Sequence, residues 1–111
     1  MYKLYGIPNC DTVKKARHFL DKMKISYDFV DFKKNRPTAS DIKRWAEFFG
    51  ELPANKKGPT FRKIKEEYES AQDKQKIQLL LENTSAIKRP ILETKDKVVC
   101  IGFDEVIYKK L

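Results

Sequence analysis

The sequence predicts one α/β domain with a mixed four-stranded sheet, assembled in the order β-α-β, helical insertion, β-β-α. Three observations carry that expectation. Tyr2 to Ile7 alternates along a strand, with Tyr2, Leu4 and Gly6 on one side and Lys3, Tyr5 and Ile7 on the other. After Pro8 and Asn9 it gives way to a period near 3.6. The long middle section, residues 38–84, carries helical periodicity with no strand signal, and beyond Ala86 two short β-rich runs return.

Taken in order, the first helix places Val13, Ala16, Phe19/Leu20 and Met23 on one face. Ser26 to Phe32 (SYDFVDF) is dense in Tyr27, Phe29, Val30 and Phe32, which predicts a strand covered on both faces. Strand, helix and strand within about 30 residues form a parallel crossover unit. Lys33 to Pro37 breaks the pattern. A helix then follows with Thr38 or Ser40 as cap, Ile42, Trp45, Ala46 and Phe49 at i, i+3, i+4 and i+7, and Gly50 as its stop.

Pro53, Gly58 and Pro59 mark a loop, after which Thr60 is expected to cap a short helix through Phe61, Arg62 and Ile64 towards Tyr68. Another helix starts near Asp73 and buries Ile77, Leu80 and Leu81. Pro90 to Glu93 and Val98 to Ile101 are strands joined by a link short enough for an antiparallel hairpin. Gly102 ends the second of them. Asp104 caps a last helix whose Phe103, Val106 and Ile107 form a stripe.

The chain has 111 residues, a length that supports one core without covalent staples. No run approaches the roughly 18 apolar residues of a membrane span, and Met1 to Leu4 enters a strand instead of a signal peptide's apolar region, so the expected compartment is the cytoplasm. Two cysteines are too few for a secreted disulfide scaffold and suit reducing conditions. The net charge of +8 admits an anionic partner. Its lysines and arginines are nevertheless scattered among acids along helix faces, the pattern of solvated faces and not of a nucleic-acid interface.

Chemistry centres on Cys10, between Asn9 and Asp11 where the strand's loop meets the helix. A thiol there meets the unpaired N–H groups of a helix's first turn, which favour the thiolate. The competing reading is a buried apolar cysteine, but such a residue more often sits inside a periodic run, as Cys100 does between Val99 and Ile101. Cys100 is read as structural. Val13 stands where a Cys-x-x-Cys motif would have its second thiol, so a disulfide at Cys10 needs an outside thiol or Cys100. Asp11 opposes a thiolate unless it turns away to cap the helix, a role open to Thr12 as well. Arg89 precedes Pro90, at a bond type where cis peptides occur, and would otherwise be a surface arginine. His18, the single histidine, has no ligand cluster around it, and no metal site is expected.

The opening YGIPNCDTVKKA, the Lys88-Arg89-Pro90 run and the spacing between them resemble the ArsC/Spx/YffB family over nearly the whole chain, with the YffB branch closest. That family comprises glutaredoxin-coupled arsenate reductases and relatives on a thioredoxin-like (glutaredoxin-like) fold. The resemblance implies that Cys10 is the reactive cysteine and that Pro90 is a cis-proline facing it. It implies further that Arg89 lowers the thiol pKa and holds an anion, with Arg62 aligned to a second arginine of the reductases. Asn9, Asp11 and Thr12 join Pro90 as candidates for contact with substrate or glutathione, while Arg62 and Asn9 keep the plain alternatives of a solvated helix arginine and a loop-bonding side chain. The reductases' third arginine falls at Ile101 or Gly102, where this chain has none.

The leading expectation is therefore a glutathione-dependent thiol oxidoreductase using one nucleophilic cysteine, with no bound cofactor, glutathione as co-substrate and glutaredoxin as a further partner. Reduction of arsenate itself is doubtful on this sequence. Two alternatives belong to other classes. One is an Spx-like transcriptional regulator that binds RNA polymerase, although such sensors carry the Cys-x-x-Cys absent here. The other is a glutathione-binding domain without turnover.

Overall fold

Residues 1–95 and 97–111 are described by a computed structural model. Ten elements follow in order: β1 (Tyr2–Gly6), α1 (Asp11–Lys22), β2 (Tyr27–Asp31), α2 (Ala39–Phe49), α3 (Pro59–Ser70), α4 (Asp73–Glu82), a 3-10 turn (Thr84–Ala86), β3 (Ile91–Thr94), β4 (Lys97–Ile101) and α5 (Glu105–Tyr108). They fall into two compact units, one of residues 1–35 with 89–111 and one of residues 36–88.

The first unit holds a four-stranded sheet in the order β2-β1-β3-β4. β1 runs parallel to β2 and antiparallel to β3, which is antiparallel to β4, so the sheet is mixed. Phe29, Leu4, Leu92 and Cys100 pair in register as a row across all four strands. Leu4, Leu92 and Cys100 of that row cluster with Ala16 and Leu20 of α1 and with Tyr108 of α5, all of them buried. The period-2 strands and the period-3.6 helix thus meet along one apolar seam.

Gly6 sits where α1 comes closest to β1, since a Cβ there would lie 2.9 Å from Val13 Cγ2. Only a residue without a side chain allows that approach.

Several sequence expectations are modified by neighbours. β2 is an edge strand, so Tyr27, Phe29 and Val30 are half-buried instead of covered on both faces. Met23 caps the C-terminal end of α1 at 45 % exposure, outside the buried set Val13, Ala16 and Leu20. In α5 the inward residue is Tyr108, whereas Val106 and Ile107 point to solvent, because one turn of helix has room for a single buried position. Asp104 does cap α5, its carboxylate accepting from Val106 N at 2.9 Å and Ile107 N at 3.4 Å. Asp96, in the link between β3 and β4, lies outside the described residues.

In the second unit α2 packs on α4, and α3 packs on α4 and the 3-10 turn. Thr38 starts α2 with a full capping box: its Oγ1 accepts from Asp41 N while Asp41 Oδ2 accepts from Thr38 N. Gly50 ends α2 in the left-handed region at φ 91°. α3 begins two residues earlier than Thr60 capping would require, with Gly58 as N-cap and Pro59 in the first turn, where a missing N–H costs nothing. Leu79, not Leu81, joins Ile77 and Leu80 as the buried set of α4. Among the described residues no helix is long and apolar enough to cross a membrane.

Burial raises the pKa of Cys100 above its ordinary value of 9.0, with the Asp104 carboxylate adding to the shift and a backbone hydrogen bond at Asp104 opposing it. Tyr108 is raised for the same first reason, then by Cys100. Above pH 9 the unfolded chain sheds these protons before the folded one, so it binds fewer protons and stability falls as pH rises. The urea midpoint is expected to decline from pH 8 to 10.5, and Cys100→Ala to flatten the part of that decline that begins near pH 9. An unchanged slope in the variant would remove Cys100 from the account.

Candidate active site at the carboxyl end of β1

The sheet register brings the predicted site elements to one end. β1 ends at Gly6, and Tyr5 pairs with Ile91 at the start of antiparallel β3, so the loop leaving β1 and the residues entering β3 leave the same sheet edge. Ile91 in turn pairs with Ile101 at the end of β4. The carboxyl end of a parallel strand is where open α/β sheets present ligand sites.

The β1 loop runs through buried Ile7 and exposed Pro8 and Asn9 to Cys10, which is half-buried. Cys10 is itself the N-cap of α1, in extended conformation at φ −138° and ψ 125°, and its carbonyl accepts Lys14 N at 2.9 Å. This corrects the expectation that Asp11 or Thr12 caps the helix: both lie inside the first turn and are exposed, and among the described residues no side chain caps it. The first N–H groups of α1 remain open to an anion, and the helix dipole favours negative charge at that end.

Arg89 and Pro90 stand at the entrance to β3, joined by a cis peptide bond. Pro90 is buried, and its carbonyl accepts from Gly102 N at 2.8 Å, tying the end of β4 to the start of β3. Arg89 is half-buried, with its Nε inside the protein. Lys88, the first residue of the same run, belongs to the second unit, where its Nζ lies 5.2 Å from the Phe49 ring centroid. Gly102 has φ 84°, a conformation that an arginine would adopt only with strain. Of the two positions expected for a third arginine, Gly102 is thus unsuited to one by backbone, while Ile101 is a β4 strand residue.

Arg62 is exposed on α3 in the second unit. The register that joins Cys10 and Arg89 says nothing of it. Cys100 is 3 % exposed and its thiol donates to Gly102 O at 3.2 Å, which fits a structural thiol. Among the described residues no group of three or more His, Cys, Asp and Glu side chains is placed to hold a metal ion. Two positions escaped the sequence reading of the site, Gly6 under α1 and the Gly102 N–H on Pro90. For the second, the signal was a glycine directly after a β-rich run.

A four-stranded mixed sheet packed with helices, with Cys10 at the N-cap of α1 and Pro90 at the same sheet end, is a thioredoxin-like fold. Comparison with known proteins narrows the class: the ArsC family matches residues 5–111, and the chain belongs to that family. The solved structure of the YFFB protein superposes with a TM-score of 0.86 at 38 % identity, covering 99 % of this chain and 97 % of that one. The crystal structure of a possible arsenate reductase from Streptococcus mutans gives 0.77 at 33 % identity, covering 93 % and 91 %. The regulatory protein MgsR of Bacillus subtilis is 26 % identical over 104 residues, covering 90 % of this chain and 81 % of MgsR.

Proposed function

We propose that this protein is a cytoplasmic glutathione-dependent thiol oxidoreductase that works through Cys10 alone. The observation that carries the proposal is the placement of a half-buried cysteine as N-cap of an otherwise uncapped helix, at the sheet end that also holds the cis Arg89–Pro90 pair. In the first step the Cys10 thiolate attacks one sulfur of a disulfide, forming a mixed disulfide and releasing the other sulfur as a thiolate. When the bound half is glutathione, a second glutathione thiolate, or a glutaredoxin thiol, attacks the glutathione sulfur. The Cys10 thiolate leaves, and a new disulfide carries the oxidising equivalents away.

Arg89 is the cation for a glutathione carboxylate or for the developing thiolate, because its planar fork holds carboxylates bidentately. Asn9, Asp11 and Thr12 supply loop and first-turn contacts, and Pro90 presents extended backbone to the peptide. Arsenate is the less suitable substrate, since Asp11 adds negative charge beside the sulfur and the third arginine is missing at Ile101 and Gly102. The test is mass spectrometry after incubation with oxidised glutathione. One adduct of glutathione mass on Cys10, removed by reduced glutathione, is the expected result, and its absence would refute the proposal.

The similarity to the regulatory protein MgsR favours a second reading, a regulator, and the resemblance to Spx adds RNA polymerase as its partner. Val13 in place of the second cysteine of an Spx-type redox switch weighs against it. A stoichiometric complex with the polymerase alpha subunit would reverse the order of the two.

A further inference from the structure

We propose that the groove between α1 and α5 binds a small amphiphilic carboxylate, an apolar chain with one anionic head, at a site separate from Cys10. The groove encloses about 450 Å³, within the range of roughly 300–1,000 Å³ common for small-molecule sites, and its lining is mostly apolar. All of it lies in the first unit.

Its floor is built before any ligand arrives. Phe19 and Phe103 line the groove with ring centroids 5.9 Å apart, and each also packs edge-on against buried Tyr108, at 6.0 and 4.9 Å. Rings held by a third ring cannot fold inward to close the space. Met23, 45 % exposed at the end of α1, adds a flexible thioether that adapts to an apolar guest.

The rim carries the opposite chemistry. Lys15 and Lys22 stand on the α1 side and Lys109 on the α5 side, against the single carboxylate of Glu105, which already faces Lys109 at 3.9 Å. An apolar floor under an excess of cations is complementary to an anion with an apolar tail. The dimensions favour a small molecule over a docked helix. α5 has only four residues, so that wall is about 6 Å long, one turn. The α1 wall from Lys15 to Met23 is about 12 Å long, the length of a medium acyl chain. Met23 stands about 20 Å along the helix from Cys10, which keeps the tail end of the groove away from the thiol.

The experiment is an amide-resolved NMR titration of the full chain with decanoate below its micelle concentration, with decyltrimethylammonium as a cation of equal chain length. Saturable shifts centred on Phe19, Met23 and Phe103 are expected, with the cation binding about tenfold more weakly. The variant K15E/K22E should also bind decanoate about tenfold more weakly, while keeping the wild-type spectrum elsewhere and its reactivity at Cys10. Shifts that fail to saturate or scatter over the surface, equal binding of the cation, or unchanged affinity in the variant would each overturn the proposal.

Discussion

Cys10→Ser is expected to abolish the glutathione adduct and all glutathione-dependent turnover, because a serine oxygen forms no disulfide and no other thiol is placed to substitute. Cys100 is the only other sulfur nucleophile, and it is 3 % exposed, hydrogen-bonded to Gly102 O and raised in pKa by burial. Ionisation and access are both required for attack. Arg89→Ala should leave the adduct possible but slow its formation about tenfold, and Arg89→Lys should restore only part of that loss, since an ammonium lacks the planar fork. The rate of adduct formation by stopped reactions and mass spectrometry reads both effects. An adduct of undiminished yield in Cys10→Ser would move the chemistry to Cys100 and end the present assignment.

The largest effect on stability is expected at Trp45. Its side chain is fully buried on α2, and truncation to alanine removes the largest apolar surface in the second unit while leaving a cavity. Losses at buried Trp are about 3–5 kcal/mol, a large share of the roughly 5–15 kcal/mol that holds a domain of this size together. Urea unfolding followed by circular dichroism is the suitable measurement, since Trp45 is the single tryptophan and its fluorescence goes with it. Trp45→Phe should cost about 1–2 kcal/mol, by keeping the ring and part of the volume. Equal midpoints for wild type and Trp45→Ala would show that this helix face is not part of a packed core.

Much of the fold is legible in the sequence because its signals are local. The alternation that begins at Tyr2, the cap at Thr38, the stop at Gly50 and the cap at Asp104 each act within one turn or one strand, and each appears in the structure. The misplaced residues share a cause. Met23, Leu81, Val106 and Ile107 lie near the ends of helices, where periodicity does not say whether a neighbouring element extends far enough to cover them. The half-buried state of β2 has the same origin, for density of apolar residues cannot separate an edge strand from a central one.

For the site, the sequence by itself determined that one cysteine stands at a strand-to-helix junction without a second thiol three residues on, and that an arginine precedes a proline at the return of the sheet. Those are properties of residue order. Only the tertiary structure decided that the two segments leave the same sheet edge, that Cys10 instead of Asp11 or Thr12 occupies the cap, and that Gly102 is tied to Pro90 in a conformation unsuited to an arginine. The reason is physical: strand pairing joins residues some eighty positions apart through backbone hydrogen bonds, and the choice of partner strand and register is made only when the apolar faces of both segments meet, not within either segment alone.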